Sequence, residues 1–254
     1  MSETETPARP VTSTAPPLPP LYSKLEALQS TRHRSLRLRD AGYGFARGLP
    51  AVPLAAEEFA SACRHLPIVF TAVAPHMPVA LTGLTADRNL LVEEDGSWRR
   101  NTYIPSYLRR FPFLLARISA DSDEMALCIE AEAPQLSRTE GEPLFAEDKP
   151  SETAKRAVDF ARAVEAAFIR TREMVDGLVL MGLLTPAVIQ FERAGAKPLR
   201  VDGFHAVDRE AFSKLSGEQL LTLHQKGWLE CIYAHLLSLG GIIEFVQEHA
   251  ATEG

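Results

Sequence analysis

Read from the amino end, the hydrophobic positions of this chain first alternate and later take on a helical spacing. Leu36 and Leu38, alternating with Arg37 and Arg39, predict a short strand with one wet face. After Pro53, the residues Phe59, Ala62, Cys63 and Leu66 recur at intervals of three or four. They predict a short amphipathic helix that stops at Pro67. "IVFTAV" from Ile68, "PVALTGL" from Pro78 and "NLLVEEDGSW" from Asn89 each predict a strand, the third turning at Asp95-Gly96 as a type I′ hairpin. Pro105 opens one or two turns of helix in "PSYLRRF". "FLLARIS" and "MALCIE" predict two strands joined through the polar "ADSDE", at the centre of an antiparallel sheet. Residues 131–152 hold little hydrophobic content and predict a long surface loop.

From Ser151 the period changes. Ala157, Ala161, Val164, Phe168, Val175 and Leu178 mark one face of a long helix ending near Gly182. "PAVIQFE" and "LRVDGFHAVD" predict two more strands. Short helices follow in "DREAFSKLS" and "GEQLLTLHQKG", and "WLECIYAHLLSL" closes the pattern with Leu229, Ile232, Tyr233 and Leu236 on one side. Strands that come first and helices that come later predict an α+β fold. In it, a mostly antiparallel sheet from the first half carries a long helix and a helical C-terminal portion packed on it. Residues 21–250 form a single domain in this reading, and residues 1–20, rich in Pro and Thr, form a disordered tail.

Composition narrows the function classes. At 254 residues and 46% apolar, the chain can bury a full core. Its net charge of −6 argues against nucleic acid and against an anionic membrane surface, both of which favour a basic partner. The tail lacks the basic and apolar regions of a signal peptide. No apolar run reaches the roughly 18 residues of a membrane helix. These features predict a cytoplasmic protein without membrane insertion. Cys63, Cys128 and Cys231 each have apolar neighbours and no Cys-x-x-Cys spacing, so they predict three buried, reduced thiols.

The motifs of familiar chemistry are missing: no phosphate-binding glycine loop, no nucleophile elbow, no His-Glu-x-x-His helix. No catalytic residue, metal site or cofactor is assigned. His205 and Asp208 lie three apart in a predicted strand, so their side chains should point to opposite faces. His224 and His235 would align on one helix, but Gly227 between them should break it.

One stretch stands apart in an acidic chain. "WRRNTYIPSYLRRFPF", Trp98 to Phe113, holds four arginines, two tyrosines, two phenylalanines and a tryptophan, with no acid. Ten acids follow between Asp121 and Glu152, against only Arg138 and Lys149. Guanidinium forks pair with carboxylates and stack on rings. One reading is therefore internal: Arg109 or Arg110 pins the acidic loop while Tyr103, Tyr107, Phe111 and Phe113 pack in the core. The functional reading is a mixed aromatic and cationic site for a peptide or small anionic ligand, because binding sites favour Tyr, Trp and Arg. Its residues are Arg109, Arg110, Trp98 and Tyr103, with neighbouring Asn89.

A resemblance runs through the same segment. "GYGFARGLPAVPLAAEEFASACRHLPIVF", "VALTGLTADRNLLVEEDGSW", "YIPSYLRRFPFLLA", "LCIE" and "LTLHQKGWLECIYAHLLSL" resemble, in order, the SapC family of bacterial proteins. The most specific piece is "NLLVEEDGSW" followed by "YIPSYLRRFPF". The resemblance implies an accessory role in surface-layer protein transport, or in uptake or modification of a substrate, and brings no catalytic residues with it. Two function classes stay open. One is a non-enzymatic binding protein using the arginine segment. The other is an enzyme or enzyme partner, oxygenase-like, using His205, Asp208 or His235. A second copy of the chain, packed through the C-terminal helix as a homo-oligomer, is a further expected partner.

Overall fold

A computed structural model of the chain describes residues 18–117, 125–193, 196–243 and 245–247, without the side chains of 191–199. Most of the predicted tail (1–17) and the "ADSDE" turn lie outside the described residues. The early strands are β1 (Leu25–Ala27), β2 (Arg37–Leu38), β3 (Ala51–Pro53), β4 (Ile68–Thr71) and β5 (Pro78–Leu81). Next come β6 (Phe113–Arg117), β7 (Met125–Glu130), β8 (Leu136–Ser137), β9 (Glu142–Pro143), β10 (Phe145–Ala146) and β11 (Lys149–Pro150). The last two, β12 (Leu184–Arg193) and β13 (Ala196–Val207), are the longest. The helices are α1 (Ser30–His33), α2 (Phe59–Ala62), α3 (Ser106–Arg109), α4 (Glu152–Leu180), α5 (Arg209–Ser213), α6 (Gly217–Gln225) and α7 (Trp228–Ser238).

The fold is α+β, with antiparallel sheets in the first half and the long α4 followed by C-terminal helices. Its largest sheet runs β12-β13-β4-β5-β3. The β12–β13 hairpin comes from the second half and pairs with β4 at Phe204 and His205. Strands from both halves therefore build the main sheet, which departs from the strands-then-helices order. β4 is buried on both faces because Ile68 and Phe70 enter the main core while Val69 packs with Leu81, Phe204 and Ile242. A separate sheet, β1-β7-β6, contains the predicted "FLLARIS"/"MALCIE" pair, with β7 in the middle.

α4 starts where Ser151 accepts a hydrogen bond from the Ala154 amide at 3.2 Å, an ordinary N-cap. Ala161, Val164, Val175 and Leu178 are buried as expected. α7 is tied to the sheet by polar contacts. His235, fully buried, donates from Nδ1 to the Ile68 carbonyl at 2.8 Å and accepts from the Val207 amide at Nε2 at 3.0 Å. The Ser238 hydroxyl accepts from the Ile68 amide at 2.9 Å.

Four expectations need correction. "NLLVEEDGSW" forms no strand: a single bridge joins Val92 and Trp98 around a three-residue loop in which only Gly96 has positive φ. Gly96 donates to the Glu93 carbonyl and Glu93 to the Ser97 carbonyl, a type I turn with a bulge rather than type I′. Residues 131–152 contain β8 to β11, with Leu144 fully buried, because β2 offers both edges and β8 and β9 fill them. Tyr233 faces outward at 55% exposure. Only Cys128 is buried among the cysteines, while Cys63 and Cys231 are half-buried.

Candidate functional site

Pro105 and one buried carboxylate place the arginine segment. Glu58, 7% exposed, precedes α2 and accepts from the Ser106 amide at 2.7 Å, the Ser106 hydroxyl at 2.8 Å and the Tyr103 hydroxyl at 2.9 Å. It also accepts from the Ala55 amide at 3.0 Å. Four donors on one carboxylate anchor the start of α3, so its next residues point in fixed directions. The sequence signal for Glu58 was weak. It sits three residues after Ala55, the spacing of a capping box without the Ser or Thr that makes one legible.

Arg110 turns inward and is 5% exposed. Its guanidinium lies 4.6 Å from the Tyr107 ring centroid, 5.8 Å from Phe168 and 5.9 Å from Tyr22. Both tyrosines are held protonated, since burial pushes Tyr22 up to about 12 and raises Tyr107 as well, outweighing the nearby cation. The rings therefore bring no counter-charge. The one carboxylate ion-paired to Arg110 among the described residues is Glu165, at 3.9 Å and itself partly exposed. Arg110 Nε is buried without a partner.

Arg109 turns outward over the Phe160 ring, 5.4 Å from its centroid. Among the described residues no carboxylate ion-pairs with it. Both arginines line a cavity of about 640 Å³ between α3, the first turns of α4 and residues 38–45. Phe45 and Phe111, stacked at 4.3 Å and 17°, and Phe160 line its apolar side. Gln135 lines it too, 7% exposed, with Nε2 donating to the Gly42 carbonyl at 3.4 Å and Oε1 buried without a partner.

Two glycines shape the wall. Gly42 takes φ +60° and Gly141 φ +94°, and a Cβ there would lie 2.7 Å from the Gly96 oxygen and 2.2 Å from the Leu38 oxygen respectively. Only glycine meets both demands. At the rim, Arg39 pairs with Glu140 at 3.0 Å and Arg156 with Glu142 at 2.8 Å. Arg34 reaches Asp148 at 3.5 Å. Lys24 pairs with Glu132 and Lys155 with Glu152, so among the described residues the acidic stretch is held by these lysines and by Arg34, Arg39 and Arg156, and not by Arg109 or Arg110. Tyr107, Phe111 and Phe113 are buried, as the internal reading expected.

The other three sequence-derived candidates do not line this cavity. Asn89 is 4% exposed, accepting from the Leu91 amide at 2.9 Å and donating to the Ala46 carbonyl at 3.1 Å. Tyr103 spends its hydroxyl on Glu58, and burial followed by that carboxylate raises it to about 12. Trp98 is buried edge-on to Tyr43, 5.6 Å between centroids, one ring behind the cavity wall. Gln135, Phe45 and Phe160 are the lining residues that periodicity could not single out. They come from distant segments and carry no motif.

The histidines of the enzymatic reading are dispersed. Gly227, in the left-handed region, separates α6 from α7 and parts His224 from His235. Burial lowers His235 to about 4, and both its ring nitrogens are bonded to backbone. His205 sits against His76, 4.5 Å between centroids, with Nδ1 buried and unpartnered. Asp208 caps α5, accepting from the Glu210 and Ala211 amides. Among the described residues no three His, Cys, Asp or Glu side chains gather as a metal-ligand set, and no helix is long and apolar enough to cross a membrane.

Fold and site define an α+β protein with a cavity that sets Arg109 and Arg110 against a phenylalanine wall. The chain belongs to the SapC family, whose model matches residues 28–244, most of its length. No curated protein and no solved structure matches it.

Proposed function

We propose that this SapC-family chain is a non-enzymatic accessory protein of bacterial surface-layer transport, or of an uptake or modification pathway. Its cavity takes a peptide or small anionic ligand, with Arg109 and Arg110 as the anion-binding pair. The observation that carries this reading is Arg110: a buried guanidinium among neutral rings, with one long ion pair to the partly exposed Glu165 and an Nε–H without an acceptor. A buried cation whose one ion pair is long and partly exposed has part of its lost hydration left uncompensated. An anion from outside would offset that loss. Arg109, beside it and without an ion pair among the described residues, supplies a second fork at the mouth.

Titration of the full chain with 3-phenylpropionate, followed by Trp98 fluorescence and by calorimetry, tests it. Saturable binding should appear and weaken at least tenfold in Arg109→Ala, with the unfolding midpoint unchanged. Arg110→Ala should abolish it. If Arg110→Ala unfolds the protein and Arg109→Ala binds like the parent, the arginines are scaffolding. Stoichiometric iron or zinc in the purified protein, lost on His205→Ala or His235→Ala, would support the enzymatic alternative instead. The outward side of α7, with Tyr233 and Leu237 at 55% and 71% exposure, supports the second proposed partner, another copy of the chain. Light scattering of Leu237→Asp against the parent checks that.

A further inference from the structure

The cavity asks for more than an anion, and resting on the binding reading above we infer that its ligand is the C-terminal residue of a peptide chain, with an apolar side chain, a free α-carboxylate and an acylated amide N–H. Two buried polar atoms on the lining residues have no partner, and they have opposite needs. Arg110 Nε is a donor lacking an acceptor, and Gln135 Oε1 is an acceptor lacking a donor. The Gln135 amide nitrogen is committed to the Gly42 carbonyl, which leaves the oxygen as the open atom. Both residues are more than nine-tenths buried, so each unmet atom lowers stability until a partner satisfies it.

A bare carboxylate satisfies one atom and leaves the other facing an anion. A peptide terminus brings the carboxylate and an amide N–H one carbon apart, so a single residue can answer both. The carboxylate accepts from Arg110 and from Arg109 at the mouth, and the N–H donates to Gln135 Oε1. The third element is the wall of Phe45, Phe111 and Phe160, which suits a large apolar or aromatic side chain. The cavity volume of about 640 Å³ falls within the range of small-ligand sites and exceeds what a simple anion needs. An internal peptide segment is disfavoured, since it carries no backbone charge to set against a buried guanidinium.

The experiment compares three probes by calorimetry on the full chain. They are N-acetylphenylalanine, its C-terminal amide (carboxylate removed) and 3-phenylpropionate (amide N–H removed). N-acetylphenylalanine should bind at least tenfold tighter than either of the others, and the advantage over 3-phenylpropionate should collapse in Gln135→Met. Because the probes themselves delete each contact, the comparison decides even if Gln135→Met folds poorly. Equal affinity for N-acetylphenylalanine and 3-phenylpropionate overturns the peptide-terminus assignment and leaves the anion site standing. Equal affinity for the acid and its amide overturns both. Absence of binding by all three removes the anion site and this inference together.

Discussion

Lowering the pH acts on His235, and in the same direction on His205, which burial also holds down. An unperturbed histidine titrates near 6.5, while burial holds His235 down to about 4. The unfolded chain therefore binds more protons between those values. The stability that neutral His235 contributes is complete above about 6.5 and is lost as the pH falls toward about 4, by about 3 kcal/mol at most. Urea unfolding at pH 7 and pH 5 should show the loss, and His235→Gln should flatten it. An unchanged slope in that variant would place the titration elsewhere. Glu58 gives a second residue-scale expectation. Glu58→Ala leaves four donors unmet, at Ala55, Tyr103 and both the amide and hydroxyl of Ser106. It should cost about 3 kcal/mol or more in the same assay and loosen α3. Neither residue could be ranked from the sequence. A histidine's partners and a carboxylate's donors come from segments far apart in the chain, and no local pattern records them.

At the scale of elements, the sequence was most legible where one face of one element meets one core. α4 is the clearest instance: Ser151 caps it and its apolar spacing fixes the buried side. β4, β5, β6 and β7 were legible because runs of Val, Ile, Leu and Phe have few other uses. Legibility failed where pairing is long-range or very short. β8 to β11 are two-residue strands in a charged stretch, made possible by partners rather than by propensity. The hairpin at Gly96 failed for a stereochemical reason, since Asp-Gly also suits a type I turn with a bulge. One contact between elements yields a sharp test. Trp228 at the start of α7 lies against Gly177 of α4, where a Cβ would sit 2.2 Å from the indole. Gly177→Ala should gain helix propensity yet lose about 1–3 kcal/mol overall as the ring is displaced. Thermal unfolding with Trp fluorescence reads both effects, and a raised midpoint would show that the ring moves freely.

At the scale of the molecule, the arginine segment proves to have two faces. Trp98, Tyr103 and Asn89 hold the scaffold together, while Arg109 and Arg110 line a cavity with Gln135 and four phenylalanines. The sequence marked the segment because its charge contrasts with the rest of the chain. It could not divide the segment's residues between scaffold and cavity, since that depends on α3 being anchored at Glu58, which turns successive arginines inward and outward. The partners of the acidic stretch were equally hidden, because Arg34 and Arg39 reach it from far earlier in the chain. The most direct measurement of the anion site is the side-chain Nε–H resonance of Arg110 in nitrogen-15-labelled protein, followed while N-acetylphenylalanine is added. The account predicts a saturable downfield shift of that proton, with protection from solvent exchange, as it gains an acceptor. A resonance that stays in place while the ligand binds would contradict it.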